Sequence, residues 1–177
     1  MGIDKKYKEV AKFRQKIETT YIKGVKPDQF IKTLERLKVN MVVDIRYWSL
    51  YPIYYSSKFM KDLLETHGIE YIRFQKLGNP TVLRNRAGEN FELAKQLYQN
   101  YVTHNPESKQ ELVKLYKLFR FRKKYCFICY CPVTDVKLCH RFWLKELLIN
   151  LKRTNLGFSE KIILENYTQK LVPEVAS

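Results

Sequence analysis

The chain has 177 residues, 45% hydrophobic and 14% aromatic, which excludes a wholly disordered protein and supplies enough apolar surface for one core. Its 33 Lys and Arg against 18 Asp and Glu leave a formal charge of +15. A polyanion relieves such self-repulsion, so nucleic acid is the first partner class that composition suggests. No apolar run approaches the roughly 18 residues that span a bilayer. The opening Met1-Gly2-Ile3-Asp4-Lys5 also lacks the apolar stretch of a secretory signal, so the expectation is a cytoplasmic protein with no membrane partner.

Residues 1–16 read as a basic N-terminal arm, with Lys5, Lys6, Lys8, Lys12, Arg14 and Lys16 against Asp4 and Glu9. Val10 and Phe13 give it a thin apolar stripe, enough for a docked helix but not a free one. Residues 17–177 read as a single domain. Thr19-Thr20-Tyr21-Ile22 is a β-rich run ended by Gly24, and Pro27 suits the first position of a helix whose inward face is Phe30, Ile31, Leu34 and Leu37. Val39 to Ile45 is a nearly continuous apolar run, as expected of a strand buried on both faces of a parallel sheet. Ser56 or Ser57 caps the next helix, with Phe59, Met60, Leu63, Leu64 and His67 inward and Gly68 at its end.

Ile69 to Phe74 alternates as a strand, and Lys76 to Gly88 reads as a loop around the turn signal Gly78-Asn79-Pro80. Phe91, Ala94, Leu97, Tyr98 and Tyr101 mark a helix. Asn105-Pro106-Glu107 opens another, with Leu112, Leu115, Tyr116 and Phe119 inward. Tyr125 to Cys131 reads as a buried strand, residues 139–151 as a helix carrying Trp143, Leu147 and Leu151, and Ile162-Ile163-Leu164 as a last strand. Strands alternating with helices predict a single three-layer α/β domain with a mainly parallel sheet flanked by helices. Ligands collect beyond the carboxyl ends of such strands, which selects the segments after Asp44-Ile45-Arg46 and after Cys129-Tyr130-Cys131.

Asp44 and Arg46 stand two residues apart at a strand end, so their side chains leave the same face, either as a charge pair holding the loop or as a substrate clamp. Tyr47, Trp48, Tyr51, Tyr54 and Tyr55 follow, five aromatics within nine residues. Some can roof the core. On a basic protein such a loop can also stack a nucleobase. The run Lys117, Arg120, Arg122, Lys123 and Lys124 could track a phosphate backbone.

The four cysteines are Cys126, Cys129, Cys131 and Cys139, followed by His140 and Arg141. Cys126-x-x-Cys129 has the spacing of a metal-ligand pair, but alternation along a strand puts Cys126 on the face opposite Cys129 and Cys131. Ligation by Cys129, Cys131 and Cys139 with His140 would need a distorted strand, so no metal and no cofactor is expected. A Cys131–Cys139 disulfide is sterically feasible and disfavoured in a reducing cytosol. Cys139 sits where a helix begins, which with Arg141 nearby favours a reactive thiol or an anion-binding turn. A small buried Cys beside a packed His is the plainer reading.

Asp44-Ile45-Arg46, Gly68-Ile69-Glu70-Tyr71, Leu77-Gly78-Asn79-Pro80, Cys131 and Cys139-His140-Arg141 occur in an order that resembles the domain-of-unknown-function family 488, from about Thr19 to Leu151. The resemblance implies a compact α/β fold with these elements around one cleft. Two departures stand out: Tyr47-Trp48-Ser49 replaces a common Pro-x-Ser, and Cys131-Pro132 replaces a cysteine followed by Glu. Gly78-Asn79-Pro80 is similar to a branch associated with excision of alkylated purines. That implies a DNA glycosylase acting on double-stranded DNA, with Asp44 as the catalytic carboxylate and Arg46, Asn79, Cys131, His140 and Arg141 around the substrate. A thiol enzyme acting on a small nucleotide-like substrate through Cys139, and a non-enzymatic nucleic-acid-binding protein, are the alternatives.

Overall fold

The computed structural model describes residues 3–48, 55–119, 123–131 and 138–154. The strand expected at Ile162–Leu164 lies outside them. Four strands, β1 (Ile17–Tyr21), β2 (Met41–Asp44), β3 (Glu70–Arg73) and β4 (Tyr125–Cys129), form one sheet in the order β1-β4-β2-β3. Every pairing is parallel, as the alternation of strands and helices predicts. The central strands β2 and β4 are buried along their whole length, which explains their continuous apolar runs; edge strand β3 is only half-buried.

The pleat sends alternate residues of each strand into two separate cores. On one face Val42, Cys126 and Ile128 pack beneath α2 (Pro27–Arg36) and α3 (Ser57–Thr66), meeting Phe30, Leu34, Met60 and Leu64. On the other, Val43, Tyr125 and Phe127 meet α5 (Phe91–His104), α6 (Pro106–Leu118) and α7 (His140–Thr154) through Tyr98, Leu112, Leu115, Trp143 and Leu147. This is a three-layer α/β domain. No described helix is long and apolar enough to cross a membrane.

Local chemistry sets the helix starts. Ser56 Oγ accepts from the Phe59 amide at 3.3 Å, and Asn105 Oδ1 accepts from the Ser108 amide at 3.1 Å ahead of Pro106. Gly68 follows α3 at φ +66°, a conformation that L side chains resist.

The basic segment at the start is a docked helix, α1 (Ile3–Gln15), as its thin apolar stripe allows: Val10 and Phe13 are buried in the α5–α7 core, Phe13 edge-on to Phe119 at 5.1 Å. Three expectations need correction. Gln75–Leu77 forms a 3-10 turn and Thr81–Ala87 a short helix, α4, where a loop was expected; α4 is mostly solvent-facing, so no apolar stripe announces it. Phe59 and His67 lie on the exposed side of α3. Strand β4 stops at Cys129, where its neighbour β1 runs out at Tyr21, so Cys131 is no strand residue.

Because Phe13 fills a core position, Phe13→Ala is expected to lower unfolding free energy by about 3–5 kcal/mol. An unchanged urea midpoint would make α1 a dispensable arm.

Candidate functional site

Strand β2 ends in a buried ion pair. Asp44 is fully buried; its Oδ1 accepts from Arg46 Nε at 2.8 Å and from the Arg46 amide at 3.0 Å, and its Oδ2 accepts from Arg46 Nη2 at 2.5 Å. The Tyr71 hydroxyl, delivered by β3 through the Val42–Tyr71 register, donates to Oδ2 at 2.7 Å. Burial, then the Asp44 charge, pushes the Tyr71 phenol well above its ordinary value, so it remains a donor. Burial opposes the Arg46 charge, but Asp44 outweighs it and raises the guanidinium pKa. Asp44 thus has both oxygens engaged and does not open on solvent. These contacts fix the Arg46 guanidinium in place.

The chain after β2 is strapped from two sides. Arg73 Nη2 donates to the carbonyl of Tyr47 at 3.2 Å. A Cβ built on Gly78 would lie 2.4 Å from the Tyr47 amide nitrogen, so glycine there is a requirement of close backbone approach. The Gly78 turn is itself held from below. Tyr98 Oη donates to the Leu77 carbonyl at 2.7 Å, and Glu111 accepts from the Lys76 amide at 2.8 Å.

The second strand end carries the cysteines. Cys129 closes β4, Cys131 follows it, and Cys139 precedes the first residue of α7, with its carbonyl accepting from the Phe142 amide at 3.0 Å. The Cys139 sulfur lies 3.3 Å from Cys129 Sγ, 3.5 Å from Cys131 Sγ and 3.8 Å from His140 Nδ1. All four ligand atoms fall within 4.8 Å of one another, so these are the residues that could hold a metal. The premise that they gather only by distorting the strand is corrected, because Cys131 lies beyond its end and folds back freely. Cys126 does face the opposite core, where burial pushes its thiol up to about 12.

Arg141 is buried and committed to this cluster. Its Nη1 lies 2.9 Å from Cys129 Sγ, 3.1 Å from Cys139 Sγ and 3.1 Å from the Cys131 carbonyl. Hydrogen bonds from Cys129 and Cys131 lower the Cys139 pKa against the cost of burial, and the same contacts raise that of Cys129. Burial works against an imidazolium at His140, but the neighbouring Cys131 and Cys139 raise its pKa to about 9. The cluster is built to hold negative charge.

Between the two strand ends lies a cleft of about 390 Å³, lined by Arg46, Tyr47, Trp48, Asn79, Arg84, Tyr130, Cys131 and His140. Six of these eight were expected from the sequence, and they meet here. Arg84 and Tyr130 were missed: Arg84 rides on the unannounced helix α4, and Tyr130 is one more aromatic beside the cysteines. Trp48 is 65% exposed and Tyr130 44%. Arg46 Nη1 and Asn79 Oδ1 are buried and have no hydrogen-bond partner among the described residues.

Several expected members are elsewhere. Tyr55 is fully buried against Phe30 and donates to the Val25 carbonyl at 3.0 Å. Cys139, only 1% exposed, does not line the cleft, and the Arg141 guanidinium is turned to the sulfurs. Lys123 and Lys124 precede β4 at the amino end of the sheet, opposite the cleft, and pair with Glu70 and Glu18. Lys117, in the last turn of α6, is likewise not among the cleft-lining residues. Tyr51, Tyr54, Arg120 and Arg122 lie outside the described residues.

Compared with known families, the chain matches the family described as "Domain of unknown function DUF488" over residues 26–148, a span that includes both strand ends and the cleft. No curated protein and no solved structure matches it.

Removing one member of a buried ion pair strands the other charge, so Asp44→Ala is expected to cost about 3–5 kcal/mol in urea unfolding. Asp44→Asn, which can still accept from Tyr71, should cost less. Gly78→Ala is expected to cost about 1–3 kcal/mol through overpacking on Tyr47. A neutral Gly78→Ala would show that the strap is loose.

Proposed function

The chain belongs to the DUF488 family, and from its cleft we propose that it captures a nucleobase turned out of double-stranded DNA and excises alkylated purines. One observation carries the reading: an aromatic-walled cleft holding a buried donor and a buried acceptor that the described residues leave unpaired. A base edge presents an acceptor and a donor side by side, which would satisfy Arg46 Nη1 and Asn79 Oδ1 together. The exposed Trp48 face and Tyr130 offer stacking surfaces worth roughly 1–3 kcal/mol per base. Extruding a damaged base costs least, which supports selectivity before any chemistry begins.

The chemistry suits these walls. An N-alkylated purine is a cation and a good leaving group, so its excision asks for little general-acid power. Aromatic faces attract such cations by about 0.5–2 kcal/mol each. No carboxylate lines the cleft among the described residues, and Asp44, paired with the lining residue Arg46, is engaged by it and by Tyr71. Arg84 at the cleft and the overall charge of +15 favour a phosphate backbone.

A second reading is favoured by Cys131, the one cysteine that lines the cleft. A thiol enzyme acting on a small nucleotide-like substrate would present Cys131 to that substrate and keep Cys139 behind it.

The deciding experiment is incubation with methylated duplex DNA followed by chromatography of released bases. Base release is expected from the wild type. Trp48→Ala should weaken capture by about 1–3 kcal/mol while the fold is retained. Affinity should fall with salt at a log–log slope near −5 if about six phosphates are neutralised. Binding without release would make the protein a non-enzymatic binder. Turnover of a free nucleotide that iodoacetamide blocks, with no base released from DNA, would favour the thiol reading. Absence of both binding and release at low salt would defeat the nucleic-acid reading altogether.

A further inference from the structure

We propose that Cys129, Cys131, Cys139 and His140 bind one zinc ion in a closed tetrahedral site. The proposal stands independently of base excision and excludes the thiol reading, since it commits the Cys131 sulfur to the metal.

The donor set and its spacing come first. Three sulfurs and one imidazole nitrogen make a Cys3His set, a common structural zinc set. Metal–sulfur bonds of about 2.3 Å put the sulfurs of a tetrahedron about 3.8 Å apart and a sulfur and a nitrogen about 3.5 Å apart. The distances here are 3.3 and 3.5 Å between sulfurs and 3.8 Å from Cys139 Sγ to His140 Nδ1. The remaining separations all lie within 4.8 Å, so shifts of up to roughly an ångström convert this cluster into a coordination shell.

The surroundings of the donors are those of a metal site. His140 Nε2 lies 3.2 Å from the Ile45 carbonyl, which can only accept, so the proton belongs on Nε2 and the Nδ1 lone pair faces the sulfurs. Zinc with three thiolates carries a net charge of −1. The Arg141 guanidinium, buried within 3.1 Å of Cys129 and Cys139, brings the assembly to neutrality and donates to the sulfurs from outside. Loading would release the three thiol protons to solvent.

A disulfide accounts for less. It would join two sulfurs at about 2.05 Å, leave the third alone, and remove the negative charge beside the buried Arg141. Zinc uses all four donors at once. It would tie the end of β4 to the start of α7 and, because Tyr130 lies between two ligands, set how that ring faces the cleft.

The test uses the full chain, expressed with added zinc, purified under reductant and analysed for metal by elemental mass spectrometry. One zinc per chain is expected. Exchange for cobalt should bring thiolate-to-cobalt charge-transfer bands and the intense visible bands of a tetrahedral ion. Cys131→Ser and His140→Asn should weaken zinc binding by at least about 10-fold. Cys126→Ser, on the opposite face, should bind as the wild type does. Three results would each overturn the site: folded wild type with less than about 0.1 zinc and no cobalt bands, Cys126→Ser losing as much metal as Cys131→Ser, or freshly isolated protein two hydrogens lighter with Cys129 linked to Cys139. Because the wild-type measurements involve no DNA, they separate failure of this site from failure of the base-excision reading.

Discussion

Asp44 and Arg46 occupy the point where central strand β2 leaves the sheet, and neither charge reaches solvent. Taking two ions out of water costs several kcal/mol each, so the pair persists because the carboxylate is fully engaged. The carboxylate accepts from a guanidinium, a backbone amide and the Tyr71 phenol. The same geometry holds Arg46 at the cleft wall, with its Nη1 buried and lacking a hydrogen-bond partner among the described residues. The backbone that follows, at Tyr47, is clamped by Arg73 and by the side-chain-free approach of Gly78. The first wall of the cleft therefore inherits its shape from an ion pair buried beneath it.

The opposite wall has its own anchor. Cys129, Cys131, Cys139, His140 and Arg141 form a second buried polar cluster, at the end of the adjacent strand β4. His140 joins the two anchors, because its Nε2 reaches the carbonyl of Ile45, the residue between Asp44 and Arg46. The parallel pairing of β2 with β4, Asp44 opposite Ile128, is what lets two strand ends far apart in the chain present one surface.

Much of the architecture is written in local pattern. The spacing of Phe30, Ile31 and Leu34 after Pro27, the Asn105-Pro106 cap and the apolar runs at Val39–Ile45 and Tyr125–Cys129 each depend on neighbours a few residues away. Helix α4 escapes this reading because it is short and solvent-facing. Phe59 escapes it for the opposite reason: an aromatic at helical spacing looks like core, yet α3 has more apolar positions than the sheet has room to cover.

The sequence by itself determined the parallel α/β class, the two strand ends that border the cleft, and six of the eight residues that line it, because the side-chain period, helix caps and strand-end position are local properties. Tertiary structure alone decided which of those residues are free to act. Tyr71 and Arg46 together engage Asp44, a consequence of the β2–β3 register that no local pattern encodes. Likewise, β1 ends opposite Cys129 and so releases Cys131 from the strand, letting it meet Cys139 and His140 instead of pointing along a pleat. Burial and partnership are properties of pairs distant in sequence, so the chemistry of each candidate residue became legible only once its neighbours across the sheet were known.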